Sequence, residues 1–125
     1  MKVLVVEDEE VLKKVLQEKL EGEDFIIKIA TDGEMALSLA KEFKPDLILL
    51  DIILSKKDGI QVLEELKTNP LLSKIPVIMI SNLGDDEIIK RAMKLGATDY
   101  LIKTQHSLDD VVNKVKDYFQ KLKQS

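Results

Sequence analysis

Five short apolar runs recur along this chain, and each is followed by a stretch with helical periodicity. The runs begin near Lys2, Asp24, Asp46, Pro76 and Thr98, at spacings of 22, 22, 30 and 22 residues. Each interval has room for one strand, one helix and two short connections. Repeated βα units favour a parallel sheet with helices on both faces, and continuous apolar strands are typical of sheets buried on both sides. The sequence therefore predicts an α/β fold.

Helical periodicity is clearest in the second and the last connecting stretches. In the second, one face carries Ala36, Leu39, Ala40 and Phe43. The last has a longer apolar face, made of Leu108, Val111, Val112, Val115, Phe119 and Leu122. Ser107 followed by Asp110 predicts a capping box at the start of this helix. With the three remaining stretches, five helices are expected, and Met79 and Met93 are expected in the core.

Length and composition narrow the class of protein. A chain of 125 residues predicts one domain spanning residues 1–125. The net charge of −4 does not favour direct nucleic-acid binding. With no cysteine and His106 as the single histidine, the usual zinc sites and disulfides are excluded. The apolar runs are too short to cross a membrane and no secretory signal is visible, so a cytoplasmic protein is expected.

Polar side chains follow four of the five apolar runs. Glu7 and Asp8 follow the first run, Asp51 the third, Ser81 the fourth and Lys103 the fifth. Because the carboxyl ends of parallel strands meet at one edge of a sheet, these groups are expected together. Neighbouring carboxylates repel unless a cation lies among them, and oxygen ligands favour Mg²⁺. Sharing an ion requires the first and third strands to be neighbours, which predicts a flavodoxin-like, doubly wound sheet of order 2-1-3-4-5.

These residues, with the Asp58–Gly59 turn and the run from Gly96 to Tyr100, make the chain resemble a receiver domain of two-component response regulators. The resemblance extends from Lys2 to about Leu122. It implies phosphorylation of Asp51 by a histidine kinase or a small phosphodonor. It also implies Mg²⁺ held by Asp8, Asp51 and the backbone carbonyl of Ile53, with Glu7 nearby. Ser81 and Lys103 would bind the phosphoryl group, and Ser81 and Tyr100 would act as the switch.

The same resemblance implies a stand-alone, CheY-like switch in a phosphorelay rather than an enzyme with a separate substrate. Its expected partners are a histidine kinase and a downstream output or phosphotransfer protein, with no direct contact to nucleic acid or membrane. The chain itself is expected to be a monomer or a weak dimer. The usual interaction face of the family would include parts of residues 90–95, Tyr100 and parts of residues 107–116.

Three positions depart from the usual pattern of the family. Leu54–Ser55 replaces Met-Pro, Ser81 replaces threonine, and Thr104 replaces the proline after the lysine. A cis bond before a non-proline residue costs about 2.5–4 kcal/mol, so a trans Lys103–Thr104 peptide is expected. In this family, side chains two residues after the aspartate and two after the hydroxyl residue flank the path of hydrolytic water. Here they are Ile53 and Leu83.

Other functions fit the residues less well. A pseudo-receiver that docks a partner without phosphorylation would not need the full set of acids, hydroxyl and lysine. A Mg²⁺-dependent phosphohydrolase usually has a second acid two residues after its nucleophile, where this chain has Ile53. A flavin-binding protein needs phosphate donors after the first strand, and the acidic run from Glu7 to Glu10 would repel phosphate.

Overall fold

Strands and helices alternate along the whole chain. The computed structural model describes residues 1–124, and describes side chains for residues 1–122. The strands are β1 (Lys2–Val6), β2 (Ile26–Ala30), β3 (Leu47–Asp51), β4 (Val77–Ser81) and β5 (Asp99–Ile102). The α-helices are α1 (Glu10–Glu21), α2 (Gly33–Phe43), α3 (Gly59–Thr68), α4 (Asp86–Leu95) and α5 (Leu108–Gln124). A 3-10 turn, Lys103–Gln105, connects β5 to α5.

All five strands form one parallel sheet in the order β2-β1-β3-β4-β5. The predicted fold and strand order are therefore confirmed. Val6 of β1 pairs with Leu50 of β3, so the next residues, Glu7 and Asp51, leave the sheet side by side. On the other side of β3, Asp51 pairs with Ile80, the neighbour of Ser81. This register brings the ends of three strands to one edge of the sheet.

The sheet separates two apolar layers. Alternate residues of β1 show the division, because Leu4 and Val6 belong to one buried cluster while Val3 and Val5 belong to the other. The first layer contains buried residues of α2, α3 and α4, and the second contains those of α1 and α5. Both faces of the central strands are therefore covered, which explains their uninterrupted apolar sequences.

Side-chain caps fix where several helices begin. The Asp32 carboxylate accepts a hydrogen bond from the backbone N–H of Met35 and caps α2. At α3, Asp58 and Gln61 form a reciprocal capping box. Ser107 and Asp110 form the predicted capping box of α5, with two hydrogen bonds of 3.1 Å. Because α2 and α3 start immediately beside the ends of the strands, their caps also fix the loops there.

One expectation about local structure was wrong and another was met. The second strand begins at Ile26, close to its predicted start near Asp24, which has a φ of 67° and lies in the turn after α1. Met79 is buried as predicted, whereas Met93 on α4 was expected in the core and is 43% exposed.

Among residues 1–124, no helix is both long and apolar enough to cross a membrane.

We expect Gly96→Ala to destabilise the fold. Gly96 ends α4 with a φ of 111°, and an added Cβ would lie 3.3 Å from Cδ of Lys67. An L-residue in the left-handed region costs about 1–2 kcal/mol, so the free energy of unfolding should fall by about that amount. Urea denaturation measures the change. The matched control is Gly22→Ala, because Gly22 has a φ of −62° and room for a methyl group. A loss of stability as large in the control would contradict this explanation.

Candidate functional site

The predicted site residues meet at the carboxyl edge of the sheet. Glu7 and Asp8 follow β1, Asp51 ends β3, Ser81 ends β4 and Lys103 follows β5. Glu7, Asp51 and Ser81 are buried, while Asp8 is exposed. The structure therefore places all five residues at one edge, as the spacing of the strands predicts.

The ammonium group of Lys103 joins the ends of three strands. Its Nζ lies 2.8 Å from Oε1 of Glu7 and 2.9 Å from Oδ2 of Asp51. Burial would lower the pKa of Lys103, but the hydrogen bonds and charges of the two carboxylates outweigh it and raise that pKa. Lys103 therefore stays charged and offsets the repulsion between Glu7 and Asp51.

The carboxylate of Glu7 is almost completely buried. Burial raises the pKa of its carboxyl above the ordinary value of 4.5, although hydrogen bonds from Lys103 and the Glu9 backbone act in the opposite direction. The Glu9 N–H donates to Oε2 of Glu7 at 3.1 Å, and Lys103 donates to Oε1. Both oxygens of the carboxylate are thus held in place.

The three acids can hold a hard cation. One carboxylate oxygen each from Glu7, Asp8 and Asp51 lies within 4.8 Å of the others. When all three are ionised, one lysine leaves two negative charges in the cluster, which is the charge that a divalent cation neutralises. Oxygen donors of this kind suit Mg²⁺. The residues therefore fit the metal that the sequence predicts.

Ser81 and Tyr100 are linked through the backbone of Leu83. The N–H of Leu83 donates to Oγ of Ser81 at 3.2 Å, and the hydroxyl of Tyr100 donates to the Leu83 carbonyl oxygen. Burial raises the pKa of Tyr100, so its hydroxyl stays a donor at neutral pH. The Ser81 hydroxyl and the Tyr100 hydroxyl are therefore both hydrogen-bonded to the backbone of one residue, Leu83.

The loop after Asp51, residues 52–58, lies against the start of α3. The N–H groups of Ile52 and Ile53 point to Oδ1 of Asp51, at 2.7 and 3.4 Å. An added Cβ on Gly59 would lie 2.1 Å from the carbonyl oxygen of Asp51, so only glycine allows this approach. The sequence identified Gly59 as a turn residue, but spacing alone gave no sign of this close contact.

Departures from the expected motif change the loops but keep the polar groups. The Lys103–Thr104 peptide is trans, as predicted, since residues 1–124 contain no cis bond. Leu54 packs against the core layer of α2, α3 and α4, as a methionine could. Ile53, beside the site, is 59% exposed.

Comparisons with known proteins agree with this geometry. The family model described as "Response regulator receiver domain" matches residues 3–116. This chain belongs to that family. Its relatives include the chemotaxis protein CheY of Halobacterium salinarum, 38% identical over 101 residues, which are 81% of this chain and 82% of that protein. Another is PhoP of Bacillus subtilis, a transcriptional regulatory protein, 43% identical over 103 residues.

A solved structure is similar over nearly the full receiver domain. A chain of the CheX–CheY–BeF3–Mg²⁺ complex from Borrelia burgdorferi superimposes with a TM-score of 0.85 and 32% identity, covering 95% of this chain and 89% of that one. The curated regulators PhoP, DctR and the ycf27 proteins are longer. This receiver domain spans only 39–54% of their length.

We expect Glu7→Gln to change how stability depends on pH. The pKa of Glu7 is higher in the folded protein than its ordinary value of 4.5. The stability that protonation of Glu7 contributes is therefore fully present below about pH 4.5, and it is lost as the pH rises through the pKa of the folded state. Glutamine is neutral throughout. In EDTA, the free energy of unfolding of the variant should therefore increase relative to wild type from about pH 4 to pH 7.

Urea denaturation at several pH values checks this result. Glu34→Gln removes an exposed acid from the first turn of α2 and serves as the control. The expected signature is a pH-dependent difference for Glu7→Gln that Glu34→Gln lacks. A constant offset between wild type and Glu7→Gln would show that burial does not raise this pKa.

Proposed function

We propose that this chain acts in the cytoplasm as a response regulator receiver domain that accepts a phosphoryl group on Asp51 and thereby changes its affinity for a partner protein. The observation that carries the proposal is the position of the Asp51 carboxylate. It stands between a lysine at 2.9 Å and two further acids that can hold a cation with it. The receiver family to which the chain belongs consists of such signalling switches.

In the proposed reaction, a carboxylate oxygen of Asp51 attacks the phosphorus of a phosphohistidine or of a small acyl phosphate. The new O–P bond forms as the P–N or P–O bond of the donor breaks, and the leaving group takes the bonding electrons. Mg²⁺ held by Glu7, Asp8, Asp51 and the carbonyl of Ile53 would supply charge neutralisation for the transferred group. Lys103 supplies a further positive charge at the same edge.

Phosphorylation would rearrange the contacts of the switch residues. Lys103 can exchange its contact with Asp51 for one with a phosphoryl oxygen. The Ser81 hydroxyl, which accepts from Leu83, still has its own hydrogen to donate. Because the Tyr100 hydroxyl is hydrogen-bonded to Leu83, a shift of the segment from Ser81 to Leu83 would change the position of the Tyr100 ring. The face formed by α4, β5 and α5 is the proposed reporter of that change to the output or phosphotransfer partner.

Phosphorylation should occur on Asp51 alone. Incubation with acetyl phosphate and Mg²⁺ should add one phosphoryl group to the wild type and none to Asp51→Asn, as intact-mass spectrometry would show. EDTA should abolish the labelling. Asp58→Asn is the matched control, because it removes a nearby acid while asparagine can still cap α3. Equal labelling of the wild type and Asp51→Asn would refute the assignment.

The phosphorylated state should be long-lived. Ile53 and Leu83 lie two residues after Asp51 and Ser81, and neither side chain can orient water by a hydrogen bond. Both can exclude water from the phosphoryl group. We expect Ile53→Asn to accelerate loss of the label severalfold after the donor is removed, and Leu83→Glu to do the same.

The decay is followed by mass spectrometry. Ile26→Asn is a close control, because Ile26 is 58% exposed but begins β2 at the opposite edge of the sheet, while Ile53 is 59% exposed. Its label should decay at the wild-type rate. Normal labelling followed by wild-type decay in both Ile53→Asn and Leu83→Glu would contradict the water-exclusion hypothesis.

A further inference from the structure

The loop of residues 52–58 connects Asp51, at the end of β3, to the cap of α3. It carries Ile53, whose carbonyl completes the proposed cation site, and Ser55 stands where the family usually has proline. Lys56 has a φ of 68°, a backbone conformation that lysine rarely adopts by itself. A hydrogen bond within the loop, from the N–H of Lys57 to the carbonyl oxygen of Ser55, and contacts with neighbouring elements therefore hold the loop in this shape.

The start of α2 makes an unusually close contact with this loop. An added Cβ on Gly33 would lie 2.2 Å from the carbonyl oxygen of Lys57 and 2.6 Å from its Cβ. The N–H of Gly33 donates to the carbonyl oxygen of Ser55 at 3.3 Å, and that oxygen also accepts from the N–H of Lys57 at 2.8 Å. Two backbone contacts thus join α2 to the middle and the end of the loop.

A side-chain contact reinforces the backbone ones. Nζ of Lys56 lies 3.7 Å from Oδ2 of Asp32. The other oxygen of Asp32 accepts from the N–H of Met35 and caps α2, so the carboxylate is held from the helix side. Helix α2 is anchored in the core through Ala36 and Ala40. The surface against which the loop rests is therefore firmly attached to the rest of the protein.

We propose that the start of α2, through Gly33 and Asp32, positions the loop so that the Ile53 carbonyl can serve the cation site. Gly59 holds the beginning of the loop against Asp51, and Gly33 holds its end at Lys57. The hydrogen bonds and ion pairs of Gly33 and Asp32 go to Met35, Ala36, Ser55 and Lys56 and not to the acids of the site, so they are positioning residues. This inference rests on the proposed function, because it assigns them a role in binding Mg²⁺.

The test is the Mg²⁺ affinity of Gly33→Ala, measured by following the backbone amide signals of Ile53 and Asp51 in NMR titrations with MgCl2. A methyl group at Gly33 must displace the Lys57 carbonyl by about an ångström, because real Cβ contacts are not shorter than about 3 Å. We expect Mg²⁺ to bind at least fivefold more weakly. Hydrogen exchange of the loop amides should also become faster.

Two glycine variants separate positioning from general loss of stability. Gly96→Ala should be destabilised at the end of α4, away from the loop, and should bind Mg²⁺ like the wild type. Gly22→Ala should be unchanged in both stability and affinity. If Gly33→Ala and Gly96→Ala lose affinity in proportion to their stability, Gly33 has only a structural role and the inference is wrong.

Asp32→Ser provides a second variant if Gly33→Ala does not fold. Serine can still cap α2 but lacks the carboxylate that faces Lys56. We expect about twofold weaker Mg²⁺ binding in Asp32→Ser. The control is Glu34→Gln, which also removes one negative charge from the start of α2, and the loss in Asp32→Ser should exceed any change in this control. Wild-type affinity in Asp32→Ser, or in a folded Gly33→Ala, would overturn the inference. Failure of the wild type to bind Mg²⁺ would overturn the proposed function and this inference with it.

Discussion

The ion pairs of Lys103 are the interaction on which the site depends. The Lys103 ammonium lies within 3 Å of two carboxylates, that of Glu7 after β1 and that of Asp51 at the end of β3. Lys103 itself follows β5, the strand at the edge of the sheet. Two buried acids at adjacent strand ends would repel each other without it. The lysine thus makes the acidic edge compatible with a stable fold, and leaves enough negative charge for a cation.

Much of this arrangement follows from the sequence, because parallel strands place their last residues at a common edge. The order of the strands could be inferred from the need to bring Asp8 and Asp51 together. The capping box of Ser107 and Asp110 was equally accessible, because it depends on residues three positions apart. Each of these features is encoded either by local spacing or by a single chemical requirement.

Other features depend on contacts between distant segments, and local patterns do not report them. Gly33 and Gly59 both follow an aspartate at a helix start, which the sequence presents as two ordinary turns. Their importance lies in which backbone approaches them, and that is set by the packing of α2 beside α3. Met93 was placed in the core because methionine often fills gaps there, but its position on α4 faces outward. The exact start of β2 depended on the φ of one residue, Asp24.

Every chemical group of the site lies at one end of the sheet, and the turn between α1 and β2 lies at the other. Gly22, Glu23 and Asp24 in that turn are all exposed. Exposed turns of this kind tolerate insertions, because no buried backbone is disturbed. A tag or reporter domain could therefore be inserted between Gly22 and Asp24 while the acidic edge stays intact.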